Sequence, residues 1–370
     1  MATQNEQSKR LLSLDALRGF DMLFIMGFSG LIKAICNLFP AGNEMYLYKT
    51  MDHARWDGLY HHDTIFPLFL FIAGISFPFS YAKQTAGGLS QGKMYAKVIR
   101  RMLVLVALGV VYNGFFKMDF ENLRICSVLG RIGLAWGFAA LLFMNFGTKA
   151  RAYISAAILT VYWLIMCYVP APDANGAAAL SMEGNMVGYI DRLITPGRLH
   201  KGIFDPEGLF STLPAIVTAM LGMFTGEFIR QESISGARKA GYMGLAALAM
   251  LAVGLLWSLV FPINKALWTS SFVLVVGSYS LAMFALFYYI IDVRGWKKWT
   301  FPFVVIGMNS ITIYMAQRII PFRQISGFFL DGIASKMPEH WSKILLYIGF
   351  ILVSWLFLYF LYRKKTFLKV

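Results

Sequence analysis

The chain has 370 residues, 58% of them hydrophobic and only 14% charged, with a net charge of +15. Soluble domains average roughly 45–50% apolar and about 25% charged residues, so a soluble globular protein is excluded, and the abundance of Phe, Tyr and Trp excludes disorder, collagen and coiled coil. The composition instead predicts an all-α polytopic integral membrane protein, whose Lys and Arg flank membrane spans rather than contact nucleic acid.

A span needs about 20 mostly apolar residues. About ten such stretches follow one another, at 14–38, 64–81, 98–116, 125–146, 152–169, 210–228, 240–260, 268–291, 301–320 and 343–362. Pro302 and Pro321 blur the edges of the last two. The polar stretch 1–10 carries no cleavage site, so the first span is read as retained and not as a signal peptide. Residues 1–370 are expected to form a single transmembrane domain. If Met1 is cytoplasmic, the tails (1–10 and 363–370) and the even connections hold nineteen of the 34 Lys and Arg, and the odd connections twelve. That bias predicts both termini in the cytoplasm. The longest connections, 39–63 and 170–209, then face outward. Loops of that length are usually functional or disordered.

Three Cys, all in or beside spans, argue against a disulfide framework. No CxxC, Walker A, GxGxxG or His-Glu-x-x-His pattern is present. All five His (His53, His61, His62, His200 and His340) fall on the expected outer side. His53 lies in the densest group of titratable residues, with Asp52, Arg55, Asp57, His61, His62 and Asp63. A His flanked by carboxylates can be held in one tautomer and serve as general base or as acyl-accepting nucleophile. The spacing fits no standard metal site, so no metal is expected. Asp15 and Arg18, three apart on a helix, share a face and can form a structural ion pair. Arg124 and Arg131 lie two turns apart on one face, an arrangement suited to phosphates or to interfacial anchoring. Asn309 sits at membrane depth and must find a partner there.

These residues resemble one family, the transmembrane acyltransferases of heparan-α-glucosaminide N-acetyltransferase and its bacterial relatives. The resemblance is carried by Arg10-Leu-x-Ser13-Leu14-Asp15-x-Leu17-Arg18-Gly19 and by His53-Ala54-x-Trp56-Asp57-Gly58-Leu59 with Asp63, Phe66, Pro67 and Phe71. Arg124-Ile125 with Leu129-x-Arg131, Asp205-Pro206-Glu207-Gly208, Asn264-Lys265-x-Leu267-Trp268 and Gly307-Met308-Asn309-Ser310 follow in order. It runs from Arg10 to about Gln317. The family has Asn where Asp57 stands, and a His is expected where Gln317 stands.

The resemblance implies a transmembrane N-acetyltransferase that moves acetyl from cytoplasmic acetyl-CoA to a glucosamine amino group on the outer face. It implies His53 as the catalytic residue, with Asp57 and Asp63 beside it. Arg124, Arg131, Lys265 and Asn309 are its candidates for holding the donor, and Trp56, Asp205, Glu207, Asn264 and Trp268 for the acceptor. The acceptor is left open between free glucosamine, a heparin-type oligosaccharide end and an envelope glycan. The shorter N-terminus matches the bacterial form and an inner-membrane location, and a homodimer is suggested by the family alone. Ping-pong and ternary-complex routes both fit. The competing readings are an amino-sugar permease, and an acyltransferase acting on polysaccharide hydroxyls.

Overall fold

The computed structural model describes residues 11–368, which are mostly helical, with no strand among them. In chain order the helices are α1 (Leu12–Cys36), α2 (His61–Ala86), α3 (Gln91–Tyr112), α4 (Val128–Asn145), α5 (Thr148–Tyr168), α6 (Met186–Ile194) and α7 (Thr212–Arg230). They continue as α8 (Gly236–Ser258), α9 (Ser270–Val293), α10 (Lys298–Gly307), α11 (Ser310–Ile319), α12 (Phe322–Ala334) and α13 (Glu339–Arg363). Among the described residues, eight helices are long and apolar enough to cross a membrane, and α10–α11 makes a ninth if its 58° bend is one broken span. Helix α3 has the length of a tenth, but Lys93, Lys97, Arg100 and Arg101 crowd its first half.

Three details depart from the sequence expectations. The ninth span is broken, because Asn309 adopts a non-helical backbone (φ −127°, ψ 29°) and caps a new helix. The connection 170–209 contains a helix, α6, capped by the Asn185 side chain, which accepts the Gly188 N–H at 2.7 Å. Residues 322–334 form α12 between Pro321 and the final span, too short and polar to register as apolar periodicity.

The described residues divide into two compact units. The first comprises residues up to Gly42, Ile234–Gly244 and Ala282–Leu368. Here α1 meets α10 backbone to backbone: a Cβ on Gly19 would lie 1.7 Å from the Phe303 carbonyl oxygen, and one on Gly307 1.9 Å from that of Asp15. Apolar helices in lipid gain little from hydrophobicity, so such close van der Waals contact holds them together. Arg18 Nη1 lies 3.7 Å from Asp15 Oδ1.

The second unit comprises Asn43–Ser233 and Leu245–Leu281. Helices α2 and α7 are its centre, and glycines again set the distance: a Cβ on Gly74 would lie 2.1 Å from the Ala219 oxygen, and one on Gly222 2.1 Å from that of Phe71. Around this contact Phe66, Leu70, Phe77, Trp136, Met220, Trp268 and Phe272 form one core.

Candidate active site

Helices α2, α4, α7 and α9 all begin in the second unit, next to one another, and the residues singled out from the sequence, apart from Asp15, Arg18 and Asn309, lie at or just before those four starts. Side-chain links across the starts establish this. Lys265, ahead of α9, reaches Asp63 in the first turn of α2 (Nζ–Oδ1 3.3 Å). Arg131 in α4 donates to the Gly208 carbonyl ahead of α7 (3.0 Å) and to Ser211. Trp268, ahead of α9, donates its indole N–H to Thr218 in α7 (3.2 Å) and packs edge-on against Phe66 of α2. Unsatisfied N–H groups and aligned peptide dipoles make such a place favourable to negative charge.

Asp63 organises the centre. Its side chain is almost wholly buried, at 1% exposure. Oδ2 accepts the backbone N–H groups of Ala54 and Tyr60, both at 3.1 Å, which starts α2 and folds the preceding loop back over it. Oδ1 lies 2.7 Å from His53 Nδ1. A carboxylate accepts only, so Nδ1 carries the proton and the lone pair stands on Nε2. Nε2 has no hydrogen-bond partner among the described residues, and the His53 side chain is 57% exposed. Lys265 Nζ approaches the same ring nitrogen at 3.0 Å. Two N–H donors cannot bond each other, so the ammonium is held by Asp63 while His53 keeps the shorter bond. Burial pushes the Lys265 ammonium below its usual range, with Asp63 and Glu207 opposing that shift. The His62 ring stands edge-on to His53 at 4.7 Å.

The loop carrying His53 is pinned to the loop ahead of α9. Gly58, at φ +115° where L side chains are strained, donates its N–H to the Ile263 carbonyl at 2.7 Å. Asp57 accepts from the Asn264 amide at 3.1 Å. Asn264 in turn accepts the Leu267 N–H at 2.9 Å, shaping a turn that ends at Trp268 with φ +52°. Trp56 donates its indole N–H to the Leu180 carbonyl at 3.0 Å and packs edge-on against Phe204. Asp57 thus orients the loop through Asn264, whereas Asp63 touches His53 itself.

Arg124 grips Asp205 with two bonds (Nε–Oδ2 2.7 Å, Nη2–Oδ1 2.5 Å) and also donates to Glu207. Asp205 is fully buried and further accepts the N–H groups of His200 (3.0 Å) and Glu207 (2.9 Å). Burial raises the Asp205 carboxyl, but Arg124 and those two N–H groups outweigh it and hold the group below its ordinary range. Arg124 is likewise disfavoured by burial and raised overall by its two carboxylates. Its charge is therefore already balanced within the protein.

Trp268 is buried in the core, with the Arg131 guanidinium 5.1 Å from its ring centre. Asn309 and the Asp15–Arg18 pair belong to the first unit, where the Asn309 Oδ1 accepts from Thr312 at 3.3 Å and its Nδ2 is buried without a partner. Asp191 was not anticipated. It is fully buried in α6, accepts the Leu209 N–H at 2.9 Å, and burial pushes its carboxyl up to about 6. As the one carboxylate of a short amphipathic helix it carries no motif, so only its burial reveals it. Among the described residues no three His, Cys, Asp or Glu side chains are grouped to hold a metal.

No family model matches the chain. Two curated proteins do. Heparan-alpha-glucosaminide N-acetyltransferase of Mus musculus is 25% identical over 424 residues, covering 100% of this chain and 62% of that protein. The Homo sapiens protein of the same name is 26% identical over 421 residues, covering 98% of this chain and 60% of that protein. The chain thus spans about three fifths of the length of the curated relatives it matches. The motif order noted in the sequence and this similarity along its whole length agree: the chain is a relative of the acyltransferase family of heparan-alpha-glucosaminide N-acetyltransferase.

Proposed function

We propose that the chain is a transmembrane N-acetyltransferase that takes acetyl from acetyl-CoA and delivers it to the amino group of a glucosamine. The observation that carries this reading is the His53–Asp63 pair. A buried carboxylate holds Nδ1–H at 2.7 Å and leaves the lone pair on Nε2 of a side chain that is 57% exposed. Nε2 either removes the proton of the attacking amine, or takes the acetyl group from sulfur and passes it on. In both routes the thioester oxygen becomes anionic at the carbonyl carbon under attack. The four clustered helix starts and the Lys265 ammonium supply positive potential there. The amide product keeps the acetyl group, and CoA leaves as thiol.

The sidedness follows the charge asymmetry: donor from the cytoplasmic face, sugar at the His-bearing face. A permease reading gives this dyad no work. The test uses purified protein, labelled acetyl-CoA and glucosamine. N-acetylglucosamine should form with the wild type and not with His53→Ala. Sugar crossing vesicles without any acyl donor would overturn the proposal. Labelled acetyl-CoA alone separates the two routes, since only direct acyl transfer to His53 leaves label on the protein.

A further inference from the structure

The second unit carries an apolar groove of about 280 Å³ that the dyad does not use. Ala157, Val161 and Ile165 of α5 form one wall, and Phe210 and Leu213 at the start of α7 form the other. Tyr162 lines it too, with its hydroxyl turned inward to donate to the Leu267 carbonyl at 2.6 Å. Among the described residues no charged or amide side chain lines the groove. Val161 and Leu213 are exposed on helices apolar enough to cross a membrane, so the groove opens sideways to lipid. Pockets for drug-sized ligands run from about 300 Å³ upward. This one has the smaller bulk of a single hydrocarbon chain, and the α5 wall from Ala157 to Ile165 gives it a length of about 12 Å.

Its floor joins it to the site. Tyr162 belongs to a buried cluster with Met166, Val187, Phe261 and Leu267. Ile165 and Phe210 of the groove pack against that cluster, and so does Trp56 of the His53 loop. Leu267 stands between Lys265 and Trp268, and Phe210 precedes Ser211, which binds Arg131. The groove is thus one residue, or one hydrogen bond, from the segments that carry site residues. Lipid tails are as apolar as Leu, so a chain gains little affinity by leaving the bilayer for the groove. What it gains is place. A head group on a seated chain stays beside the dyad, and a tethered group acts at a raised effective concentration.

We propose that the acceptor is an amino sugar carried on a hydrocarbon chain, with the chain seated between α5 and α7 and the amine presented to His53. The proposal rests on the acceptor reading above and deepens it. The tail of a surrounding lipid shares the chemistry of that chain, and the experiment separates the two sources. Full-length purified protein in nanodiscs receives acetyl-CoA with glucosamine or with octyl glucosaminide, and the ratio of the two kcat/KM values is read. Wild type should favour octyl glucosaminide at least about tenfold. Ala157→Phe, which fills the groove, should remove most of that preference, and the milder Ala157→Leu part of it. Tyr153→Phe, on the exposed part of the same helix, is the control and should keep it. Partition of the octyl chain into the bilayer acts alike on all four proteins, so only the groove makes the ratio depend on residue 157. A wild-type ratio near one, or a ratio that Ala157→Phe leaves unmoved in folded protein, overturns the proposal. Binding is read without turnover through octyl glucosaminide with a diazirine at the chain end, which should label residues 157–165 and 210–213. A phosphatidylcholine with the same diazirine should show no such concentration. Equal labelling of the groove by both probes overturns the proposal, since the groove would then be a lipid site. Groove labelling by the glucosaminide alone, without acetylation of either acceptor, would refute the proposed function and leave the groove assigned. Acetylation of both acceptors with equal kcat/KM would refute the groove alone.

Discussion

Replacing Asp63 by Asn tests the site's central contact with the smallest change in shape. The carboxylate holds four donors: His53 Nδ1–H at 2.7 Å, Lys265 at 3.3 Å, and the Ala54 and Tyr60 N–H groups at 3.1 Å. An amide keeps one acceptor oxygen. The two backbone N–H groups on Oδ2 claim it, which turns the NH2 toward His53 and Lys265. His53 must then accept at Nδ1, so its proton moves to Nε2 and the lone pair needed for catalysis is lost. Losing a general base or fixed tautomer costs about 10²–10⁴ in rate. Lys265 would lose its buried counter-charge, a cost of about 1–3 kcal/mol for an unsatisfied group. The assay is release of CoA thiol from acetyl-CoA in the presence of glucosamine, in nanodiscs, beside a thermal melt. The account requires a fall in kcat of at least about 100-fold in protein that still melts cooperatively. A variant within about tenfold of wild type would refute the tautomer argument.

Three further outcomes follow from the packing. The Asp191 carboxyl rises to about 6 on folding, against 3.8 in the unfolded chain, so the native state favours the protonated form. Stability is then greatest below pH 4 as far as this group is concerned, falls as pH rises through 6 and is level above, by up to about 3 kcal/mol. Asp191→Asn should abolish that slope in melts taken across this range, and an unchanged slope would contradict the burial argument. Arg124→Gln strands Asp205 at 0% exposure and should destabilise by about 3–5 kcal/mol, read as a lowered melting temperature, with Arg124→Lys intermediate. Gly222→Leu should fail to give monodisperse protein, because a Cβ there already meets the Phe71 oxygen at 2.1 Å, whereas Gly244→Ala, where a Cβ meets nothing within 4 Å, should behave as wild type.

Much of this was legible in the chain. Spans register because about 20 apolar residues leave an unmistakable run. His53 and Asp63 were visible because titratable groups are sparse elsewhere. Other features depend on contacts between distant segments. Asp57 stands in the His53 motif, yet its bond is to Asn264, 207 positions away. Arg124 reads from the sequence either as a phosphate ligand or as an interfacial anchor, and only the packing brings Asp205 and Glu207, read separately as acceptor residues, onto its guanidinium. The break at Asn309 left only a polar residue in an apolar run, and α12 mixes Arg323, Gln324 and Asp331 with apolar residues over 13 positions. Lys83, Lys97, Arg100 and Arg101 were counted as orientation signals, and only the packing of α2, α3 and α4 shows that they line one cavity.

The central claim is that His53 moves acetyl from a CoA thioester to an amine. The most direct measurement is transfer of labelled acetyl from acetyl-CoA to glucosamine by wild type and by His53→Ala, at matched amounts of folded protein. The account predicts N-acetylglucosamine from the wild type and a loss of at least about 100-fold in the variant. Equal turnover by both proteins would contradict it.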